Sequence, residues 1–188
     1  MTNLSQIRTT PMPDEMHQLL QTYPRDSWEA HPNFKEATRH WLGAHRMFRQ
    51  LAEVIRTDAE VFLDGEREAN DYAARLGHYG NMLVRNLHGH HGWEDHQYFP
   101  ELSKADPRFD RGLEILETDH QELDQVLDGF TTSANRVIQL SHLDPSTMRK
   151  EASTLHRHAE TIEAFLARHL EDEEDLAVPI ILHHRLRG

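Results

Sequence analysis

Hydrophobic residues recur at steps of three and four along most of this chain, and runs that alternate residue by residue are scarce. Such spacing is typical of amphipathic helices packed in a bundle. Turn-forming residues at Asp64-Gly65, within 104–111 and within 141–145 interrupt the pattern. We therefore predict an all-α fold, an up-down-up-down four-helix bundle, with helices over residues 33–63, 68–102, 111–140 and 145–178.

Proline residues mark the predicted helix ends. Asp144-Pro145 suits the start of the fourth helix, as an N-cap followed by a first-turn proline. Pro100 and Pro179 are expected to mark or kink the C-terminal ends of the second and fourth helices. Residues 33–188 are assigned to the bundle. Residues 1–32 are assigned to a partly disordered N-terminal extension, with a mobile tail over 1–13 and a short helix over 14–23.

Six ionisable residues occupy core positions of the predicted helices: His45, His90, Glu94, His120, His169 and Glu173. The first and third helices contribute one histidine each, whereas the second and fourth contribute a histidine and a glutamate one turn apart. Residues i and i+4 share a helix face, so each His-xxx-Glu pair presents an imidazole and a carboxylate to one point. Burying a carboxylate without a partner is costly, and a cation balances its charge. The pattern predicts a metal site inside the bundle.

The spacing of these residues indicates an internal repeat of two helical hairpins. In an up-down bundle, two ligands at one level are equidistant from the turn that joins their helices. His45 and His90 are 45 residues apart, His120 and His169 are 49 apart, and the midpoint of each pair falls at or just past a predicted turn. Proline follows each Glu six residues later. This agreement supports a shared site.

The composition of the chain limits the chemistry and the partners that we expect for it. The 188-residue chain is long enough for one domain with a core, and it contains no cysteine, which excludes disulfides, thiolate ligands and cysteine nucleophiles. Its net charge of -12 argues against nucleic acid and anionic membranes as partners. No apolar run reaches transmembrane length and the N-terminus lacks an apolar signal core, so we expect a cytoplasmic protein. An acidic bundle of this size is also a candidate homodimer.

The six core residues, with Phe99-Pro100 and Val178-Pro179 after the glutamates, resemble the haemerythrin-like (HHE cation-binding) family over about residues 33–182. The resemblance implies two non-haem iron ions, bridged by carboxylates and by an oxo or hydroxo group when oxidised. It implies that His45 and His90 bind one ion, that His120 and His169 bind the other, and that Glu94 and Glu173 bridge them. Manganese and zinc also accept such ligands.

Two departures from the family pattern leave the ligand set open. The founding oxygen carriers have His-xxx-His on the third helix, whereas here Leu116 precedes His120 by four and Asp124 follows it by four. Asp124 or a tyrosine such as Tyr98 is a candidate for an added ligand. The founders also place the last carboxylate five residues after its histidine, which makes Glu174 a rival of Glu173.

Other motifs have plainer interpretations. His91 points about 100° away from His90 on a helix, so we expect it beside the site or at the surface. His156-xxx-Glu160 lies about 220° around the helix from His169 and is expected to face solvent. A ferritin-like site requires paired Glu-xx-His motifs, and this chain has only Glu117-xx-His120.

Three classes of function follow. The first is a di-iron protein that binds or senses dioxygen, nitric oxide or a related small oxidant. The second is a di-iron redox enzyme: catalase-like peroxide disproportionation, ferroxidase activity, or iron handling in oxidative or nitrosative stress. The third is a bundle that uses its metal only for structure. The missing third-helix histidine shifts weight from a carrier towards a sensor or an enzyme.

Overall fold

The computed structural model describes residues 8–186, and within them the chain is helical without strands. The α-helices are α1 (Glu36–Leu63), α2 (Ala69–Trp93), α3 (Phe99–Ala105), α4 (Asp110–Leu143) and α5 (Pro145–His184). A π-helical turn, Glu94–Tyr98, joins α2 to α3, so these three segments together form the second predicted helix. Short 3-10 turns lie at Asp14–His17, Arg25–Ser27 and Pro107–Phe109. The predicted all-α four-helix bundle is confirmed.

The π-turn begins at the glutamate of the first His-xxx-Glu pair. The backbone amide of Phe99 donates to the carbonyl of Glu94, five residues earlier. Pro100 follows at once, and proline cannot donate a backbone hydrogen bond and crowds the carbonyl four residues before it. Single π-turns occur often at functional sites, and this one begins at a predicted metal ligand.

The last helix is longer than predicted. α5 passes through Pro179 and ends at His184, so Pro179 does not mark its end. A proline inside a helix costs about 3 kcal/mol. The flanking apolar residues are at most 1% exposed, and burying each contributes about 1.5–3 kcal/mol: Leu176, Val178, Ile180, Ile181 and Leu182. Burial therefore outweighs the local preference of proline.

The described chain divides into two compact units, and each of the four long helices contributes a stretch to both. Unit 1 contains Met47–Gly89 and Glu122–Leu166. Its buried side chains are almost all apolar and follow the predicted stripes, as with Leu83, Leu127 and Ile162. Gly65 ends α1 with φ 84° and donates to the carbonyl of Phe62, a conformation that favours glycine.

Unit 2 contains Arg8–Arg46, His90–Gln121 and the chain from Ala167 onward. Its apolar core includes Phe99, Leu116 and Ile181. Residues of the N-terminal extension belong to this core, with Met12 at 2% and Met16 at 4% exposed. The helix predicted over 14–23 is limited to the 3-10 turn Asp14–His17. Residues 1–7 of the predicted tail lie outside the described residues.

Two further observations bear on where function resides. None of the helices within residues 8–186 combines the length and apolar character needed to cross a membrane. All six predicted ligands belong to unit 2, which places them with the N-terminal extension and not with the apolar core of unit 1.

Candidate metal centre

The six predicted residues lie together and are buried. His45, Glu94, His169 and Glu173 are 0% exposed and His120 is 2% exposed, while 9% of the His90 side chain is exposed. The potential ligand atoms form two groups, and within each group all of the atoms lie within 4.8 Å of one another. The first group comprises His45, His90, Glu94 and Glu173, and the second comprises His91, His120 and His169.

Each glutamate faces histidines of both groups. Glu94 Oε1 lies 2.8 Å from His90 Nε2, and its Oε2 lies 3.7 Å from His120 Nε2. Glu173 Oε2 lies 3.5 Å from His45 Nε2 and 3.8 Å from His169 Nε2. The carboxylates therefore lie between two histidine pairs, which is the arrangement a bridging role requires.

Three of the imidazoles make contact with a carboxylate through Nδ1. The Nδ1 of His45 contacts Glu174 at 3.0 Å, that of His120 contacts Asp95 at 2.7 Å, and that of His169 contacts Asp119 at 3.3 Å. An ionised carboxylate only accepts, so Nδ1 carries the hydrogen and Nε2 presents a lone pair. This second layer of carboxylates fixes the tautomer that a metal requires.

The inner atoms fit a cation. His120 Nε2 and Glu94 Oε2 are both acceptors, both buried, and neither makes a hydrogen bond to the described residues. Both carboxylate oxygens of Glu173 are also buried and make no hydrogen bond to the described residues. The Nε2 atoms of His45 and His90 are 3.0 Å apart, about the separation of neighbouring ligands at metal–nitrogen distances of about 2.0–2.1 Å. Acceptors that converge without donors cost free energy unless a cation lies among them.

Burial and the neighbouring charges together shift the pKa values of this cluster. Burial lowers the pKa of His169 to about 4, so its imidazole is neutral and its lone pair is available. Burial, together with the charge of Glu94, raises the pKa of Glu173 well above its ordinary value. Burial alone would also raise the pKa of Glu94, but its interactions with His45 and His90 outweigh burial and lower that pKa. A bound cation would favour the ionised form of both carboxyls.

His91 is buried beside the cluster. It is 3% exposed, and its ring stacks on that of His120 with centroids 3.9 Å apart and planes 9° apart. An imidazole binds a metal close to its ring plane, and two parallel stacked planes do not meet at one ion. The stacked His91 and His120 therefore do not ligate the same metal, although their nitrogens are close. The structure places His91 beside the site, one of its two expected positions.

The sequence also offered Glu174, Asp124 and Tyr98 as candidate ligands, and each has other partners in the structure. Glu174 turns away from the inner cluster and contacts the outer nitrogen of His45. Asp124 is at the surface, with 52% of its side chain exposed, 3.1 Å from His88. Tyr98 packs its ring between Trp41 and Trp93, with centroid distances of 5.3 Å and 5.0 Å.

The sequence did not indicate which groups hold the predicted ligands in place. The indole Nε1 of Trp41 donates to Glu94 Oε1 at 2.7 Å, although the sequence indicated only a packing role. The supporting carboxylates Asp95, Asp119 and Glu174 were also missed as partners of ligand imidazoles. Each one directly adjoins a predicted ligand in the sequence, and that adjacency was the only available signal.

The fold and the cluster together define a cation-binding helical bundle. The model of the Hemerythrin HHE cation binding domain matches residues 36–184, and the chain belongs to this family. The matched residues include both buried His-xxx-Glu pairs, and the match begins after the N-terminal extension.

A second similarity covers only a small part of the relative. The chain is 28% identical over 135 residues to the human (Homo sapiens) laminin subunit gamma-1, which covers 68% of this chain and 8% of that protein. The chain thus spans less than a tenth of that relative, and the match supports no functional argument. No solved structure matches the chain.

Proposed function

We propose that this chain holds two non-haem iron ions and uses them to bind or sense dioxygen, nitric oxide or a related small oxidant. The observation that carries the proposal is the position of Glu94 and Glu173 between two pairs of histidines. His45 and His90 would hold one ion, and His120 and His169 would hold the other. Imidazole and carboxylate ligands suit iron in both of its common oxidation states, and the pair would supply reversible electron exchange with the small ligand.

The chain's own residues shape which molecules reach the site. Five of the six ligands are at most 2% exposed, so the site excludes bulk water and large substrates. His90, with 9% of its side chain exposed, is the ligand nearest to solvent. Burial of this degree favours a diatomic molecule or peroxide as the ligand.

One observation favours a second candidate, a di-iron redox enzyme acting on peroxide. Leu116 is fully buried at the position where the resemblance leads one to expect a further histidine. His91, the nearest extra imidazole, stacks on His120. Two imidazoles for each ion leave more open positions than the five-histidine set of an oxygen carrier, and open positions permit turnover.

The test begins with untagged protein, because a His-tag would add metal-binding groups. We expect about two iron ions per chain and an absorption spectrum that changes when oxygen, nitric oxide or peroxide is added. A reversible change without turnover supports binding or sensing, and repeated oxygen release from peroxide supports the enzyme. A folded protein that retains no iron after loading would overturn the proposal.

His156→Ala is the matched control. This histidine also belongs to a His-xxx-Glu pair, and it lies 3.1 Å from Glu60 and 3.6 Å from Glu160. The control should retain the same iron content and the same spectrum as the unaltered chain.

A further inference from the structure

Part of the N-terminal extension is fixed to unit 2 by buried contacts. Met12, Met16 and Trp28 are at most 4% exposed. Gly112 of α4 permits this packing, because a Cβ at that position would lie 3.0 Å from the sulfur of Met16 and 2.8 Å from Leu176. The extension is therefore placed well enough to hold side chains beside the metal centre.

Arg25 of this extension binds the carboxylate that supports His45. Its Nη1 donates to Glu174 Oε2 at 2.8 Å, and Glu174 Oε1 lies 3.0 Å from His45 Nδ1. Its Nε donates to Asp175 at 2.6 Å and its Nη2 donates to the carbonyl of Glu171 at 3.0 Å. Three contacts on α5 thus fix the guanidinium, and the guanidinium fixes Glu174.

Arg8 likewise binds the carboxylate that supports His169, which is that of Asp119. Its Nε and Nη2 donate to the two oxygens of Asp119 at 3.0 Å and 2.7 Å, and Nη2 also donates to Asp172 at 2.6 Å. Asp119 Oδ2 in turn lies 3.3 Å from His169 Nδ1. Arg168 approaches the same oxygen at 3.2 Å, so Asp119 has cationic partners both inside and outside the bundle helices.

We propose that Arg8 and Arg25 are positioning residues, each of which sets how tightly one of the two metal ions is held. Arg25 would act through Glu174 on the ion of His45, and Arg8 through Asp119 on the ion of His169. Both arginines precede residue 36, where the family match begins, so the device belongs to this chain's extension. The inference rests on the proposed di-iron centre.

The physical reason lies in the mobility of the supporting carboxylates. A carboxylate that is held in place keeps the hydrogen on Nδ1 and the ring aligned, so that Nε2 stays directed at the metal. Without Arg25, Glu174 can rotate or bind water, and the imidazole of His45 loses its orientation. Without Arg8, Asp119 loses two hydrogen bonds and keeps the contact with Arg168. The imidazole of His169 is then held less firmly. Changes in such outer partners typically cost about 10–100-fold in metal affinity.

Arg108 offers a matched control within the same unit. It donates to Asp106 at 2.8 Å and 2.6 Å, and Asp106 lies 2.8 Å from His184 Nε2. This is the same arginine–carboxylate–histidine chain, and Asp106 is 4% exposed, but His184 is not one of the six predicted ligands. Arg108→Gln therefore removes an arginine–carboxylate contact of the same type away from the centre, from a side chain that is 60% exposed against 41% for Arg25 and 12% for Arg8.

The experiment measures release of ferrous iron to a strong chelator from protein loaded with two equivalents. We expect Arg25→Gln to release one equivalent about tenfold faster, Arg8→Gln to release one equivalent faster, and the double variant to release both faster. Arg108→Gln should match the unaltered chain. Arg8→Lys and Arg25→Lys, which retain a charged donor, should recover part of the slow release.

Each contrary result has a distinct meaning. Release at the unaltered rate from both Gln variants would overturn the proposal. Equal loosening of both ions, with a fall in the Tm of the metal-free variants, would also overturn it, because it would indicate a merely structural role. Failure of the unaltered chain to retain iron would overturn the di-iron centre and this inference with it.

Discussion

In unit 1, His156 lies 3.1 Å from Glu60, and Arg56 binds that glutamate at 2.7 Å. In unit 2, His45 lies 3.0 Å from Glu174, and Arg25 binds that glutamate at 2.8 Å. The residue types and distances nearly coincide. The side chain of Glu60 is 41% exposed, whereas that of Glu174 is 7% exposed.

This difference indicates that burial, more than residue type or spacing, separates the predicted metal centre in unit 2 from the ion pairs around His156 in unit 1. Water solvates the carboxylates around His156, and such exposed ion pairs contribute only about 0–1 kcal/mol. The inner face of His45 meets Glu94 and Glu173, which are 0% exposed. An ionised carboxylate in that environment requires a compensating cation.

The largest expected effect comes from removing a carboxylate of the buried cluster. Glu173→Ala and Glu94→Ala should each lose most of the bound metal, because each carboxylate faces both histidine pairs. Glu160→Ala should lose none, because Glu160 lies in unit 1 with 54% of its side chain exposed. Metal content per chain is the measurement, and full retention of two ions by Glu94→Ala would refute its bridging role.

A smaller effect is expected from Trp41→Phe. The substitution keeps an aromatic ring but removes the indole hydrogen bond to Glu94 Oε1. Hydrogen bonds to charged groups are worth about 1.5–3 kcal/mol, so metal affinity should fall by about tenfold or more.

Trp28→Phe is the control for that substitution, since Trp28 Nε1 donates to the neutral carbonyl of Tyr23 at 2.7 Å. A phenyl ring at this position can still stack on the guanidinium of Arg25, which lies 5.0 Å from the indole centroid, so the contact with Arg25 is kept. It should lower Tm without changing metal affinity. Competition with a chelator measures the metal affinity of both variants. Equal affinities in the two variants would show that the Trp41 hydrogen bond does not support the centre.

A still smaller effect is expected at His91. His91→Phe preserves a flat ring that can stack on His120, so the protein should keep both metal ions with a slight spectral shift. Metal analysis and visible absorption check this. Loss of one equivalent would mean that the His91 ring turns and becomes a ligand when metal is present.

The smallest effect lies in unit 1, at the N-cap of α5. Asp144 accepts hydrogen bonds from the hydroxyls and the backbone amides of Thr147 and Ser146, which lower its pKa to about 2. Since the folded pKa is below the ordinary value of 3.8, the carboxylate stabilises the fold above about pH 4 and ceases to do so as pH falls towards 2.

Asp144→Ala should therefore lower Tm by roughly 2–4 °C at neutral pH, with a gap that closes in acid. Metal content should not change. Thermal unfolding of both proteins across this pH range is the check. A gap that is independent of pH would show that the carboxylate charge does not stabilise the helix start.

Hydrophobic periodicity predicted the bundle. It also identified the six ionisable core positions, because an ionisable residue is easily recognised where the spacing predicts an apolar one. It could not predict that α5 continues through Pro179, since the proline rule is local and the opposing burial is tertiary. Hydrophobic periodicity also could not predict that the ring of His91 stacks on that of His120. The supporting partners Asp119 and Arg8 are 111 residues apart, and no sequence pattern links them.

Anomalous diffraction at the iron absorption edge, from crystals of iron-loaded protein, tests the di-iron centre most directly. We expect two peaks between Glu94 and Glu173, one beside His45 and His90 and the other beside His120 and His169. A single peak at surface histidines such as His183, or no peak within the cluster, would contradict it.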